Sequence, residues 1–238
     1  MDEILREYCD DFCKKMGYDY VAKNAIPIAW FGNIEQYFKS RTKVLTISLN
    51  PSYNEFPQWG KQRFQDLTAI RDGIIQKDYP LDLMMKNYND YFKFNPYMQW
   101  FSFYERRLNE LDCSYYDTPE KNTAIHIDMY SAIATEPTWG KLSDLQKYRI
   151  QNIPLFRELL KILNPQIALV SVNLFSFKEV IQPDEAIKEW VPPFDDRKCS
   201  RMILYKKDGI KFLHGRNLKG QPFGACRITE EIKRTLFE

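Results

Sequence analysis

Three polar residues stand where predicted strands end: Asn50, Asp128 and His214. Each follows or closes a run of apolar or β-branched residues, which is the composition of a buried strand. The carboxyl ends of parallel strands meet at one edge of a sheet, and open α/β sheets place their ligand sites there. These residues are therefore site candidates, and ordinary strand-to-loop turns are the alternative explanation.

Motifs of several enzyme classes are absent from the sequence. It has no P-loop lysine motif and no glycine-rich dinucleotide turn, so a nucleotide cofactor is not expected. It lacks H-E-x-x-H, and it lacks H-x-E with C-x-x-C, which disfavours zinc hydrolases and zinc deaminases. His126 and His214 are the only histidines, and no nucleophile elbow accompanies them. We expect neither a cofactor nor a metal.

The cysteines and the apolar runs indicate a cytoplasmic protein. The five cysteines are odd in number and scattered, which favours reduced, buried thiols. Without a C-x-x-C pair, a metal or iron–sulfur site is disfavoured. No apolar run approaches the roughly 20 residues of a membrane span, and the first residues lack the order of a signal peptide. No membrane association is expected.

Length and charge predict one domain with a basic C-terminal segment. The 238 residues show no linker, so we expect a single domain over residues 1–238, with 1–24 as an N-terminal helical extension, acting as a monomer. Of 34 Lys and Arg, 11 lie in residues 197–238, which hold only 4 of the 32 Asp and Glu. This asymmetry predicts a surface that faces a polyanion.

Hydrophobic periodicity predicts strands that alternate with helices. The predicted strands are 43–49, 124–129, 165–172, 201–205 and 210–213, the last two joined at an Asp-Gly hairpin turn. The main predicted helices are 2–16, 97–111, 142–163 with a break near Pro154, 175–181 and 228–237. A basic, flexible loop is predicted over 214–220. This alternation predicts a three-layer α/β/α sandwich around a short, mostly parallel central sheet.

Four segments, in this order, resemble the uracil-DNA glycosylase superfamily. The first is the strand with Leu49-Asn50-Pro51-Ser52, similar to the family's water-positioning motif. The second, residues 124–135 (AIHIDMYSAIAT), resembles the strand that reads the Watson–Crick edge of the base. The third is the strand 167–172, and the fourth, 212–220, is similar to the His-Pro-Ser loop. The resemblance covers roughly residues 25–237 and implies a uracil-DNA-glycosylase-like fold.

The resemblance implies a role for each matching residue. Asn50 would position the water that attacks the deoxyribose C1′, and His214 would donate a hydrogen bond to the pyrimidine O2. Phe64, or alternatively Phe56, would stack on the base, which such enzymes extrude from double-stranded DNA. The residues expected to hold the DNA are Arg216, Asn217, Leu218 and Lys219. No lysine in the motifs is placed for a Schiff base, so no lyase step is expected.

Two departures from the family point to a modified cytosine. Uracil enzymes read the base with an asparagine, whereas this chain has Asp128, a carboxylate that prefers the cytosine amino donor. Strict uracil enzymes place a tyrosine where this chain has Ser52, and a small side chain leaves room for a 5-substituent. The resemblance thus implies a glycosylase for 5-substituted, phage-type cytosine, similar to those of anti-phage systems.

Alternatives remain open at this point. The same motifs fit a uracil or thymine-mismatch glycosylase in base-excision repair, or a non-catalytic DNA-binding module. A small-molecule hydrolase is disfavoured by the basic C-terminal segment. Asp128 could instead cap a turn, Phe64 could pack in the core, and His214 could be a plain loop residue, since Gly215 replaces the family's proline.

Overall fold

The computed structural model describes residues 1–58, 62–191, 201–217 and 220–238. Its strands are β1 Val44–Ser48, β2 Cys113–Ser114, β3 Asn122–Thr123, β4 Ile125–Asp128, β5 Ile167–Val170, β6 Lys188–Trp190, β7 Met202–Lys207 and β8 Ile210–Gly215. Its α-helices are α1 Asp2–Lys15, α2 Ile34–Lys39, α3 Leu67–Ile75, α4 Leu81–Asn89, α5 Tyr91–Phe94, α6 Met98–Asn109, α7 Asp144–Ile150, α8 Ile153–Leu163, α9 Leu174–Ile181 and α10 Glu230–Phe237.

The chain divides into two compact units, each discontinuous in sequence. The first unit comprises Met1–Gly32, Leu49–Tyr97 and Ile127–Leu163. The second unit comprises Asn33–Ser48, Met98–His126 and Asn164–Glu238. The first unit is mostly helical, and the second holds most of the strands. One domain over residues 1–238 stays a prediction.

The central sheet is mostly parallel, as predicted. Its strand order is β4-β1-β5-β8-β7-β6. Strand β5 pairs in parallel with β1 on one side and with β8 on the other, so that Val170 is aligned with both Ile47 and His214. Strands β7 and β6 extend the sheet antiparallel to β8. The α/β class is confirmed, and the nearly all-apolar strand 165–172 is central because both of its faces are buried.

The Asp-Gly hairpin joins β7 to β8 through two residues. Asp208 and Gly209 have φ angles of 49° and 83°, and a two-residue turn of this kind needs positive φ at both positions. Lys207 pairs with Ile210 across the turn. The local sequence therefore decides the register of this hairpin.

Helices lie on both faces of the sheet within the second unit. Phe177 of α9 packs against Phe212, with ring centroids 6.0 Å apart, and Phe212 shares a face with Leu45 through the strand register. Thr46 points to the opposite face, because successive side chains alternate along a strand. On that face Ser48 is hydrogen-bonded to Tyr104 of α6, with the two oxygens 3.2 Å apart.

The N-terminal helix α1 is an integral part of the first unit. It packs against α3, α4 and α8 through buried Leu5, Cys9 and Phe12. Lys15 in its last turn donates to the carbonyl oxygens of Ile150 and Gln151, at 3.1 and 3.0 Å. The predicted helix over residues 2–16 is confirmed, and its last turn stabilises the carbonyl end of α7.

Some elements differ from the predicted ones for simple physical reasons. The helical stretch 142–163 breaks where predicted, since α7 ends at Ile150 and Pro154 sits in the first turn of α8. The two-residue strands β2 and β3 and the three-residue strand β6 are too short to show a period in the sequence. In the described ranges, no helix has the length and apolarity that a bilayer crossing requires.

Candidate functional site

Asn50 lies two residues beyond β1, in the first unit, and its side-chain amide is held through the nitrogen Nδ2. Its Nδ2 donates to the carbonyl oxygen of Ile133 and to Oγ1 of Thr135, both at 3.2 Å. These two bonds use both amide hydrogens and determine which amide atom is nitrogen. The carbonyl oxygen Oδ1 is then the atom with which half-buried Asn50 can accept a hydrogen bond from a water.

The partners of Asn50 belong to a buried segment, residues 131–135, that has little freedom to move. The carbonyls of Ala132 and Ala134 accept from the backbone N–H groups of Ile28 and Ala22, each at 2.9 Å. Thr135 also forms a bridge with Ser52. Asn50 is therefore held by a segment whose backbone is itself hydrogen-bonded.

Ser52 caps the turn that follows Asn50. Its Oγ accepts from the backbone N–H of Asn54 at 3.1 Å, at the start of a 3₁₀ turn over Tyr53–Glu55. The side chain is half-buried, and its hydroxyl is engaged with its own loop. This capping role explains why a small hydroxyl residue suits the position. Room for a 5-substituent beside it stays a prediction.

Glu55 is the residue that sequence reasoning missed. Its side chain is 3% exposed, and Oε2 accepts from the Tyr91 hydroxyl at 2.5 Å. The pKa of Glu55 is raised to about 8, chiefly by burial and to a smaller extent by the charge of Asp128, against the lowering effects of Tyr91 and Arg63. The available signal was a lone acidic residue five positions after Asn50, beside an apolar segment.

Asp128 closes β4 and is 7% exposed, in the same unit as Asn50. Its charge acts on two buried groups there, since it raises the pKa of both Glu55 and Tyr8. Asp128 and Glu55 thus belong to the same unit, and the charge of Asp128 acts on Glu55. Buried carboxyl groups with perturbed pKa values are enriched at functional sites and also occur in structural networks.

Phe56 and Phe64 pack on each other rather than on open space. Their ring centroids are 5.7 Å apart with an interplanar angle of 18°, and Phe64 also lies 5.4 Å from the ring of Tyr91. Neither ring is more than 3% exposed. Stacking of either ring on a base therefore stays a prediction and would require this aromatic cluster to open.

His214 lies in the second unit, within β8, so the prediction of a loop starting at this residue is wrong for His214 and Gly215. The ring Nε2 donates to the carbonyl oxygen of Val172 at 2.9 Å, since a carbonyl can only accept. Burial lowers the pKa of His214, which favours the neutral ring, with Nδ1 as its acceptor. The predicted strand ended at Leu213, two residues before the end of β8.

Close packing of the segment beyond β8 explains why residue 215 has no side chain. A Cβ atom at Gly215 would lie 2.3 Å from the ring of Phe223, a fully buried residue whose φ is +60°. The backbone N–H of Phe223 donates to Oγ of Ser171 at 2.8 Å, which helps to hold this left-handed conformation. A proline here, as in the superfamily that the sequence resembles, would meet the same ring.

The predicted DNA-holding residues fall partly within the described chain. Arg216 is exposed, and Asn217 accepts through Oδ1 from the backbone N–H of Gly220 at 3.0 Å. Leu218 and Lys219 lie outside the described residues. Arg216 and Asn217 belong to the second unit, as His214 does, whereas Asn50, Ser52 and Asp128 belong to the first.

A groove of about 690 Å³ lies elsewhere in the second unit, beside α9 and β7. Its lining includes Leu174, Lys178, Arg201 and Tyr205. None of the site residues predicted from sequence lines it. Its size alone does not assign a ligand, so the chemistry of the buried carboxyl groups is the better guide to function.

The cysteines that the structure describes are free thiols, and most of them are buried. Cys9, Cys113 and Cys226 are buried free thiols, and Cys13 is half-buried. Burial raises the pKa of both Cys9 and Cys113 to about 12, so both are inert as nucleophiles. Within the described part of the chain, no group of three or more His, Cys, Asp or Glu is placed to hold a metal ion. Cys199 lies outside that part.

Comparisons of this chain with protein-family models, with curated proteins and with solved structures return no match.

Proposed function

We propose that the chain is a monofunctional DNA glycosylase that hydrolyses the N-glycosidic bond of a flipped-out modified pyrimidine and leaves an abasic site. The observation that carries the proposal is the geometry of Asn50, whose amide hydrogens are both engaged, so that Oδ1 is the atom able to accept a hydrogen bond from a water. Its position two residues after the buried strand β1 adds support. The fold in this proposal is a three-layer α/β/α sandwich of the uracil-DNA glycosylase type.

The reaction needs an oriented water more than a strong nucleophile. In the proposed step the C1′–N1 bond breaks with its electron pair leaving on the base, and the water oxygen bonds to C1′. Asn50 Oδ1 accepts a hydrogen bond from that water and directs an oxygen lone pair at C1′. Fixed dipoles of this kind stabilise a cation-like sugar without reorganising during the reaction.

Asp128 is proposed to select the base. A carboxylate accepts from the exocyclic amino group of cytosine and repels the O4 carbonyl of uracil. The small Ser52 is proposed to admit a substituent at C5. Together they favour a 5-substituted cytosine of the phage type, with a role in defence against phage.

The roles of His214 and of the DNA-holding residues rest on the resemblance alone. His214 would exchange the carbonyl of Val172 for the pyrimidine O2 when it donates to the base. Arg216, Asn217, Leu218 and Lys219 are proposed to hold double-stranded DNA around the extruded base.

Mass spectrometry of released bases tests the proposal. The purified protein is incubated with uracil-containing DNA, with unmodified DNA and with phage DNA that carries 5-substituted cytosine. We expect free modified cytosine from the last substrate only, and loss of that release, by at least about 100-fold, in Asn50→Ala. Borohydride should trap no covalent complex.

Two variants separate the alternatives. Asp128→Asn should shift release toward uracil, and Asn109→Ala, at the C-terminal end of α6, is the matched control that should behave as wild type. Uracil release by the wild type would favour a repair glycosylase. DNA binding without release of any base would favour a non-catalytic binding module and overturn the proposal.

A further inference from the structure

We propose that Glu55 is a second base-reading carboxyl group, which as a neutral acid donates a hydrogen bond to the ring N3 of cytosine while Asp128 accepts from the exocyclic N4. This inference rests on the proposed function and names which carboxyl group carries the proton. It is carried by the burial of Glu55 and by the way its neighbours use their own hydrogen-bonding groups.

Tyr91 occupies one oxygen of the carboxyl group. Its hydroxyl accepts from the backbone N–H of Tyr97 at 2.9 Å and donates its hydrogen to Oε2 of Glu55 at 2.5 Å. Because Oε2 serves as an acceptor, a proton on Glu55 belongs on Oε1. Oε1 is then the oxygen from which a neutral Glu55 would donate to a base.

Arg63 lies near Glu55 and directs its hydrogen bonds elsewhere. The closest approach is 3.9 Å, from Nε to Oε2. Nε donates to the carbonyl of Asn54 at 2.7 Å, and a terminal nitrogen donates to the carbonyl of Asn95 at 3.1 Å. The guanidinium plane rests on the ring of Tyr97, 4.8 Å from its centroid. Among the residues that the structure describes, Glu55 therefore has no bidentate partner of the kind that would stabilise a buried carboxylate.

The balance of these neighbours favours the neutral acid. Loss of hydration on burial is the largest effect on the pKa of Glu55, and the charge of Asp128 acts in the same direction. The hydrogen bond from Tyr91 and the charge of Arg63 act against them. With a pKa of about 8, Glu55 keeps its proton at neutral pH.

A neutral acid beside a carboxylate matches cytosine and mismatches uracil. Cytosine presents an acceptor at N3 next to a donor at N4, whereas uracil presents a donor at N3 next to an acceptor at O4. The hydrogen bond to N3 also stabilises negative charge on the departing base. When the C1′–N1 bond breaks, a proton from the attacking water balances the charge on the base, and Glu55 ends as it began.

The test is the pH dependence of single-turnover release of modified cytosine from phage DNA. Wild-type activity should fall tenfold per pH unit above about pH 8, as Glu55 ionises. Glu55→Gln carries a permanent N–H donor, so its rate should drop by about tenfold at pH 7 and then stay flat through pH 9. Glu55→Leu, which has no donor, should lose about 100-fold.

A variant of Tyr91 tests the protonation state of Glu55 without changing Glu55 itself. Tyr91→Phe removes the hydroxyl that stabilises the charged carboxylate. The alkaline limb of the profile, which is the fall in activity above about pH 8, should therefore move to higher pH. Glu158→Gln, an exposed change on α8, is the matched control and should leave the profile as in wild type.

The outcomes separate the two proposals. If the wild type releases modified cytosine and Glu55→Gln keeps the alkaline limb, or Glu55→Leu matches wild type, the inference is wrong and the glycosylase function stands. If the wild type releases no base from any of the DNAs, both fall. A change in folding alone would lower the thermal midpoint of the variants and leave the position of the limb unmoved, which also overturns the inference.

Discussion

Each unit buries a polar cluster, and the two clusters differ in charge. In the first unit Glu55 lies with Tyr91 and near Arg63. In the second unit Thr46 is hydrogen-bonded to Tyr115 and, at 2.7 Å, to Nδ1 of His126. The second cluster satisfies its own hydroxyl and ring groups and is further enclosed by aromatic rings. The first buries a carboxyl group that no bidentate partner in the described part of the chain neutralises.

The difference indicates which cluster is structural. Phe101 meets the ring of His126 edge to face, with centroids 5.2 Å apart, so the second cluster is a packed core with internal hydrogen bonds. Burial of the Glu55 carboxyl group costs free energy, and hydrophobic packing does not need a carboxyl group at this position. Buried ionisable groups of this kind are concentrated at functional sites. The proposed chemistry therefore belongs to the first cluster, and the second cluster is interpreted as structural.

The largest expected effect is on the pH dependence of stability. The folded-state pKa of Glu55 is raised from 4.5 to about 8, so its contribution is fully present below pH 4.5 and is lost as the pH rises through 8. Between pH 5 and pH 8 the wild type should lose on the order of 4 kcal/mol relative to Glu55→Gln, at about 1.4 kcal/mol per pKa unit. Urea unfolding at both values measures the difference, and parallel curves for the two proteins would contradict the assignment.

A smaller effect is expected from Thr46→Val in the second cluster. The change keeps the shape of the side chain and removes its hydroxyl, which leaves buried groups of Tyr115 and His126 with one partner fewer. Unfolding free energy should fall by about 1–3 kcal/mol, while single-turnover base release stays as in wild type. A loss of activity with full stability would mean that this cluster, too, takes part in function.

The smallest expected effect concerns His214, and here stability is lost as the pH falls, opposite to the case of Glu55. Burial lowers the pKa of the folded-state ring below 6.5, so stability is lost as the pH falls through 6.5, where only the unfolded chain takes up the proton. His214→Gln should remove this acid-side loss and keep a donor toward the Val172 carbonyl. Unfolding midpoints at pH 5 and pH 7 check it; an unchanged difference between them would place the acid-side loss elsewhere.

Much of the fold was predictable because local chemistry decides it. Strand β5 is an uninterrupted apolar run, the hairpin turn has the residues that positive φ requires, and Thr229 caps α10 by accepting from the backbone N–H of Ile232 at 3.4 Å. The end of β8 was not predictable in this way. The strand predicted to end at Leu213 continues to Gly215, where the ring of Phe223, eight residues later, occupies the space that a Cβ would take.

The sequence by itself determined the α/β class, the main strands and the placement of Asn50 and Asp128 at strand ends, since composition and turn chemistry act over a few residues. Only the tertiary structure decided what those residues meet. The amide of Asn50 is oriented by residues 83 and 85 positions away, and Nε2 of His214 is engaged 42 positions away. The proton on Glu55 depends on burial and on Tyr91, 36 positions away, and no local pattern records either.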